Sequence, residues 1–181
     1  MMSGRFIAVV GPSGVGKDTV MDAICAKHPQ IQKVRRVITR DPLAGGEDAH
    51  TVSVDVFEAN VAAGAFALHW EAHGLRYGIP ATVDEALAEG RDVLANLSRS
   101  VLPQLEGRFA QSMIILLTAS PEVLASRLAK RGRETAEDQA KRLQRATFTL
   151  APGLTPVEIR NDGALGATLE AFEAAVYAER G

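Results

Sequence analysis

The amino-acid sequence predicts a three-layer α/β fold on a mostly parallel β-sheet, and three observations support this. Segments with strand character alternate with segments of helical periodicity, which is the order that a parallel sheet covered by helices requires. The strand-like segment at residues 6–10 is apolar throughout and that at 112–117 has a continuous apolar core, as in strands buried on both faces. A glycine-rich turn at residues 11–16 joins the first strand to the first helix.

The next elements follow from spacing and from turn-forming residues. Apolar residues at helical spacing predict a helix over 17–27, and the β-branched segment 36–38 predicts a second strand. Pro42 and the glycine pair after it predict a loop over 41–48. A short helix is then expected over 53–63.

A β-hairpin is predicted next. Segments 66–70 and 75–79 have strand character and flank the turn Ala72-His73-Gly74. Because a hairpin breaks the alternation of strands and helices, we expect it to belong to an inserted lobe. Thr82 and Glu85 have the spacing of a capping box and predict the start of the next helix.

The rest of the chain returns to alternating strands and helices. Ser120 and Pro121 are favoured at the N-cap and first position of a helix. Acidic residues precede basic ones in the polar segment 134–148, which suits the helix dipole. The remaining predicted elements are strands at 92–97, 112–117 and 156–160 and helices at 120–130, 134–148 and 164–179.

Length, charge and cysteine content narrow the class of protein. A chain of 181 residues fits one domain, and its net charge of −2 argues against a broad nucleic-acid-binding surface. Arginine supplies 15 of the 20 basic residues, which reflects either codon bias or bidentate recognition of phosphate or carboxylate. One cysteine, Cys25, leaves no disulfide within the chain, and we find no signal-peptide pattern or membrane span. We therefore expect a cytoplasmic protein.

Residues 11–17 carry a phosphate-binding pattern. Seven residues match the start of the motif G-x-x-x-x-G-K-[ST]: Gly11, Pro12, Ser13, Gly14, Val15, Gly16 and Lys17. Chance gives roughly 0.04 such matches at this glycine and lysine content. Glycines let backbone N–H groups converge on phosphate oxygens, and the lysine reaches the outer phosphates. An ordinary glycine-rich turn is the alternative, but the position between a strand and a helix favours a nucleoside triphosphate site.

The eighth position of the motif departs from the pattern. Asp18 stands where a serine or threonine hydroxyl normally meets Mg²⁺, and Thr19 lies about 100° further round the helix. A carboxylate also binds Mg²⁺, directly or through water, so Asp18 is the predicted metal ligand. Residues 11–19 form the predicted ATP-binding segment, but they do not identify the acceptor.

Along most of its length the chain resembles guanylate kinases. Beyond the phosphate loop, the shared segments are Ile38-Thr39-Arg40, Gly45-Gly46-Glu47-Asp48, Arg76-Tyr77-Gly78, Asp92-Val93-Leu94, Arg131-Gly132 and Lys141-Arg142-Leu143. The resemblance implies a P-loop kinase fold in a single domain of residues 1–181. It also implies a core of residues 1–34 and 81–181, an acceptor-binding lobe at about 35–80 and an arginine-bearing lid at about 130–142.

The residues that read guanine in that family are missing. His69 stands where guanylate kinases have a glutamate before tryptophan, and Asn96 and Ser98 stand where they have aspartates. Leu43 replaces their second phosphate-binding arginine. The N–H donors on a purine edge need carboxylate acceptors, which these side chains do not supply.

The pattern is more similar to a sister family, ribose 1,5-bisphosphate phosphokinase. The shared marks are Gly16-Lys17-Asp18, Arg36-x-Ile38-Thr39-Arg40, His69-Trp70, Asn96-x-Ser98-Arg99, Leu102-Pro103, Arg131-Gly132-Arg133-Glu134 and Asn161-Asp162-Gly163. This resemblance implies phosphorylation of ribose 1,5-bisphosphate by ATP and Mg²⁺ to 5-phospho-α-D-ribose 1-diphosphate, in phosphonate breakdown. A guanylate kinase with altered base recognition is one alternative. A non-catalytic guanylate-kinase-like binding module is another, which the intact Lys17 disfavours.

The same resemblance implies roles for individual residues. The predicted acceptor-binding residues are Arg36, Thr39, Arg40, His69, Arg76, Tyr77, Asn96, Ser98 and Arg99. The predicted catalytic residues are Lys17 and the lid arginines Arg131, Arg133 and Arg142, which would neutralise the transferring phosphoryl group. The lid arginines could instead form a solvated helical face, and Arg99 could cap a strand end. Asn161 is expected near the adenine ring by resemblance alone.

Further expectations concern a metal site, the binding partners and the oligomeric state. On one strand, His69, Glu71 and His73 would share a face, which is either a polar wall of the acceptor cleft or a metal site. The expected partners are a small sugar phosphate and ATP, with no nucleic acid and no membrane. The resemblance leaves open a monomer or a homodimer.

Overall fold

The computed structural model describes residues 3–12, 14–40, 49–130 and 150–178. Within these ranges the strands, in chain order, are β1 (Phe6–Val10), β2 (Gln32–Lys33), β3 (Val37–Ile38), β4 (His50–Thr51), β5 (Phe66–Ala72), β6 (Leu75–Pro80), β7 (Val93–Asn96), β8 (Ser112–Thr118) and β9 (Val157–Arg160). The helices are α1 (Lys17–Lys27), α2 (Val54–Ala62), α3 (Val83–Ala88), a 3-10 helix (Arg99–Gln104), α4 (Leu105–Arg108), α5 (Pro121–Lys130) and α6 (Leu165–Ala178).

The main sheet is parallel throughout and has the strand order β2-β7-β1-β8-β9. Strand β1 lies at its centre and is fully buried, as its uninterrupted apolar sequence predicts. Phe6, Ala8 and Val10 belong to the apolar core on one face, and Ile7 and Val9 belong to the core on the other. Helices therefore cover both faces of this sheet, which confirms the predicted three-layer α/β fold.

A second, smaller sheet lies in the chain between β2 and α3. Its strand order is β4-β3-β6-β5, and the hairpin predicted from the sequence forms its β5 and β6 strands. The buried face of the hairpin joins the same core as one face of β1, through Trp70, Tyr77 and Ile79. Helix α2 packs on the opposite face, where the rings of Phe57 and Phe66 lie 4.8 Å apart.

Two local predictions are wrong in detail. Ala72 pairs with Leu75 inside the hairpin, so the turn has two residues, His73 and Gly74, both with positive φ. His73 therefore does not share a strand face with His69. Thr82 is the N-cap residue of α3, so the predicted helix start is confirmed, but no side chain makes a capping hydrogen bond there and the predicted capping box does not form.

Other differences are additions to the predicted elements. The polar pair that forms β2 and the 3-10 helix after β7 were not predicted. The loop over 41–48 and the helix over 134–148 lie outside the described residues. None of the helices within the described ranges is long and apolar enough to cross a bilayer.

Candidate active site

The predicted phosphate loop lies at the carboxyl end of β1, at the centre of the main sheet. Strand β7 runs beside β1, so that Asn96 lies opposite Val9, two residues before the loop begins. Strand β8 flanks the other side. Ligands of open parallel sheets bind in the crevice outside the carboxyl ends of the strands, and the loop lies at that edge.

The backbone of the loop depends on its glycines. Gly14 and Gly16 have φ of 86° and 92°, in the left-handed region that glycine adopts without strain. Gly11 is buried where a Cβ would lie 2.6 Å from the Leu117 carbonyl oxygen. The Val15 N–H donates to the Pro12 carbonyl (3.2 Å), which closes a turn within the loop.

Helix α1 begins directly after the loop and presents its amino end to the same crevice. Gly16 occupies the N-cap position, and no side chain caps the helix. Lys17 reaches back over the loop and donates to the Gly11 carbonyl (2.6 Å). The backbone N–H groups of a helix start, the helix dipole and an ammonium group at one place suit a polyphosphate.

Asp18 follows on the first turn of α1, and its side chain is exposed. No group of three or more His, Cys, Asp or Glu side chains within the described ranges could hold a metal without help. Mg²⁺ in a nucleotide site needs only one or two protein oxygens, because phosphates and water complete its octahedron. Asp18 beside the phosphate loop fits that requirement.

Two residues that sequence reasoning did not assign to the loop support its outer side. Arg127 on α5 donates to the Val15 carbonyl (3.0 Å) and, through its other terminal nitrogen, to the Asn161 carbonyl (2.6 Å). The buried Asn161 side chain also donates to the Val15 carbonyl (2.7 Å) and accepts from the Thr168 hydroxyl (2.6 Å). Both ends of the Asn161 amide, expected near adenine, are therefore engaged within the protein.

The start of α5 is tied to the segment after β9 by a charged contact. The Ser120 N–H donates to the Asp162 carboxylate (2.5 Å), and Arg160 donates to its other oxygen (2.8 Å). These two bonds, the first more than the second, lower the pKa of Asp162. The Ser120 hydroxyl accepts from the Val123 N–H (3.3 Å), as the predicted N-cap requires.

Some of the predicted acceptor-side residues lie together in one stack. The Arg36 guanidinium lies 4.9 Å from the centre of the Tyr77 ring, which stacks on Trp70 with ring centres 5.4 Å apart. The Trp70 indole donates to the Ser98 hydroxyl (2.9 Å). This contact joins the second sheet to the segment after β7. A continuous series of contacts therefore runs from Arg36 through Tyr77 and Trp70 to Ser98.

Other predicted residues lie on the opposite face of the hairpin. Arg76 pairs with Glu71 across the strands and donates to Glu58 on α2. The Glu58 bond is the main reason that the pKa of Arg76 is raised above its usual value. His69 is exposed and lies opposite Gly78 on this face. The predicted acceptor set therefore divides between the two faces.

The other residues predicted for the site include some that the structure describes and some that it does not. The Thr39 hydroxyl accepts from the Arg76 N–H (2.9 Å) and thereby holds β3 to β6. Arg40 follows at the end of that strand, and the exposed Arg99 begins the 3-10 helix after β7. The residues that lie outside the described ranges are Ser13, Leu43, Arg131, Arg133 and Arg142.

A glycine loop between the central strand and first helix of such a sheet, with a second sheet over the same edge, defines a P-loop kinase. The family model "Guanylate kinase" matches residues 3–157. The ribose 1,5-bisphosphate phosphokinase PhnN of Ruegeria sp. (strain TM1040) is 51% identical, covering 98% of this chain and 94% of the relative. The chain belongs to the ribose 1,5-bisphosphate phosphokinase family, within the guanylate kinase group.

Further comparisons agree with this placement. The protein of the same name from Rhizobium etli (strain CIAT 652) is 48% identical, covering 90% of this chain and 84% of the relative. The crystal structure of guanylate kinase from Anaplasma phagocytophilum shares the fold, with a TM-score of 0.71 at 19% identity. That alignment covers 98% of this chain and 87% of the other. The chain is thus a kinase, with ATP as its co-substrate.

We predict that Gly16→Ala weakens ATP binding at least tenfold. The new Cβ would lie 2.9 Å from Asn161 Nδ2, and the residue would keep a positive φ, which costs about 1 kcal/mol or more. Gly64→Ala is the matched control, because Gly64 also has a positive φ but open space around its Cβ. Calorimetric ATP titration and thermal unfolding of both variants measure the two effects. Equal ATP affinity in the two variants would contradict the role given to the loop.

Proposed function

We propose that this kinase transfers the γ-phosphoryl group of ATP to ribose 1,5-bisphosphate. An oxygen of the 1-phosphate bonds to the γ-phosphorus, the bond to the β,γ-bridging oxygen breaks, and ADP leaves. The products are 5-phospho-α-D-ribose 1-diphosphate and ADP. Because the attacking phosphate oxygen is already ionised near neutral pH, the reaction needs no general base.

The observation that carries this proposal is the absence of carboxylates at the three positions that read guanine in guanylate kinases. These positions hold His69, Asn96 and Ser98. The Ser98 hydroxyl already accepts the Trp70 N–H, and Trp70 stacks on Tyr77. The relatives that match along nearly their whole length carry the name of the sugar-phosphate kinase.

The donor half of the site has the groups that phosphoryl transfer requires. In our proposal the backbone N–H groups of residues 11–19 bind the β- and γ-phosphates, and Lys17 leaves the Gly11 carbonyl to meet them. Asp18 is the proposed Mg²⁺ ligand. Mg²⁺, when bound, offsets the charge that develops on the phosphate oxygens. The arginines Arg131, Arg133 and Arg142 are the proposed cations of a lid over residues 130–142.

The acceptor half needs cations for two sugar phosphates. Arg36 and Tyr77 are in contact, and Arg40 lies at the end of the neighbouring strand. Arg76 lies on the other face of the hairpin and donates to Glu58, so Glu58 would compete with a phosphate for it. We therefore assign Arg36, Arg40 and Tyr77 to the first phosphate. The remaining proposed contacts are Thr39, His69, Arg76, Asn96, Ser98 and Arg99.

We also propose a domain organisation, a cellular location and a set of binding partners for this enzyme. Residues 1–34 and 81–181 form the core, and residues 35–80 form the acceptor-binding lobe of one domain. We propose that the enzyme acts in the cytoplasm as a monomer or homodimer, in phosphonate breakdown. Its bound partners are the sugar phosphate, ATP and Mg²⁺, and nucleic acid is not among them.

We predict that ribose 1,5-bisphosphate is phosphorylated at least a hundredfold more efficiently than GMP. The cleft supplies arginines for phosphates but lacks carboxylates for the purine edge. Coupled measurement of ADP release from the purified protein, with each acceptor in turn, gives both kcat/KM values. Lys17→Met is the control for contaminating kinases. Preferential use of GMP would overturn the proposed acceptor.

We predict that His69→Glu alone does not create a guanylate kinase. The new carboxylate would stand on the exposed face of β5, while Asn96 and Ser98 stay neutral. The rate with GMP should remain at the wild-type background, with His69→Gln as the uncharged control. Steady-state assays with GMP measure this. A rise to the rate that the wild type reaches with its own acceptor would show that one residue sets specificity.

A further inference from the structure

On the outer side of the phosphate loop, two side chains bind the peptide group between Val15 and Gly16. The Val15 carbonyl accepts one hydrogen bond from the Arg127 guanidinium (3.0 Å) and another from the Asn161 amide (2.7 Å). In a planar trans peptide the C=O and the next N–H point in opposite directions. Two bonds on the Val15 oxygen therefore fix the direction of the Gly16 N–H.

That N–H points away from Arg127 and Asn161 and has no acceptor within the part of the chain that the structure describes. Gly16 has a φ of 92°, and glycine peptides rotate more easily than others because no Cβ restricts them. The loop glycines alone would therefore leave this peptide free to turn over. A turned peptide would present an oxygen, rather than an N–H, to an incoming phosphate.

The two donors are themselves held in place. The Thr168 hydroxyl donates to Asn161 Oδ1 (2.6 Å), and the Asn161 N–H donates to the Thr118 carbonyl at the end of β8 (2.7 Å). The Asn161 carbonyl accepts from Arg127 (2.6 Å). Asn161 is 6% exposed and Thr168 is 2% exposed, so water competes little for these bonds. Since the Val15 oxygen requires a donor, the amide orientation of Asn161 is determined.

We propose that Arg127 and Asn161 are positioning residues for phosphoryl transfer, with Thr168 as the support of Asn161. They hold the Val15–Gly16 peptide so that the Gly16 N–H faces the polyphosphate of ATP. The inference rests on the proposed use of the loop for ATP and is independent of the acceptor. Neither side chain needs to touch the nucleotide, because both act through the backbone of the loop.

The test is ATP affinity, measured by calorimetry without any acceptor, in Arg127→Ala and Asn161→Ala. We expect losses of about tenfold to a hundredfold, which is the range for one lost hydrogen bond to a charged group. Arg127→Lys should recover part of the loss, because an ammonium can still donate to the Val15 carbonyl. Guanidinium chloride at millimolar concentration should partly restore ATP binding in Arg127→Ala. The KM for the acceptor should stay within twofold of the wild type.

Arg108→Ala is the matched control, since Arg108 pairs with Asp84 on an exposed surface and is not among the site residues. Its ATP affinity should equal that of the wild type. Unchanged ATP affinity in folded Arg127→Ala and Asn161→Ala, or no recovery with Arg127→Lys, would overturn the proposal. If Asn161→Ala does not fold, Thr168→Val tests the same point by removing the support of the amide. That variant should lose about threefold or more of its ATP affinity, the effect of one neutral hydrogen bond, and no loss would contradict the proposal.

A wrong acceptor and a wrong positioning role give different results. If ribose 1,5-bisphosphate is not the substrate, the acceptor assay fails while the calorimetric losses remain. If the two residues only stabilise the fold, thermal unfolding changes while ATP affinity does not. The two experiments therefore fail independently.

Discussion

The site depends on a steric constraint at the end of the central strand. Gly11 lies so close to the backbone of the neighbouring strand that a Cβ would be 2.6 Å from the Leu117 carbonyl oxygen. Because glycine has no Cβ, the chain can leave the sheet at this crowded position and enter α1 within a few residues. The left-handed glycines at 14 and 16 complete that turn without strain. Because β1 is buried between β7 and β8, the start of the loop is fixed in position, and this fixes the direction of the backbone N–H groups of the loop.

Attraction of a phosphorylated substrate must come from individual cationic side chains, because the net charge of the chain is slightly negative. A net charge of −2 gives little long-range attraction for a substrate that carries two phosphates. The attraction must come from short-range donors, and the arginine-rich basic set supplies guanidinium forks for that purpose. Arg36 lies over the Tyr77 ring, whereas Arg76 donates to Glu58 on the other face of the hairpin. Glu58 would therefore compete with a phosphate for Arg76. On the opposite face of the hairpin, Arg36 contacts an aromatic ring.

The sequence allowed most of the fold to be predicted, because local chemistry controls it. Apolar segments gave β1 and β8, and glycine spacing gave the loop and the start of α1. What the sequence did not reveal is contacts between residues distant in the chain. Arg127 is 112 positions from Val15, so neither its spacing nor its neighbours indicate that it binds the loop. Its only local signal is its place four residues before Arg131.

The acceptor side was harder to predict for a related reason. Alternation along a strand tells which residues share a face, but it does not tell which face meets a ligand. The Trp70–Ser98 hydrogen bond fixes the inner face of the hairpin, and a tryptophan donor could not be paired with one particular serine from the sequence. The two-residue turn at His73 and Gly74 likewise removed His73 from the strand. Adjacent residues such as Arg76 and Tyr77 lie on opposite faces by alternation alone, and the tertiary contact of Trp70 with Ser98 decides which of these faces is buried.

A crystal structure with a non-hydrolysable ATP analogue and ribose 1,5-bisphosphate would test this arrangement of the site most directly. We expect the β-phosphate within hydrogen-bond distance of the Gly16 N–H, with Lys17 moved from the Gly11 carbonyl to the phosphates. We expect the pentose between that phosphate chain and the Arg36–Tyr77 pair. A polyphosphate bound away from residues 11–18, or a Lys17 that stays on Gly11 beside a bound nucleotide, would contradict this arrangement.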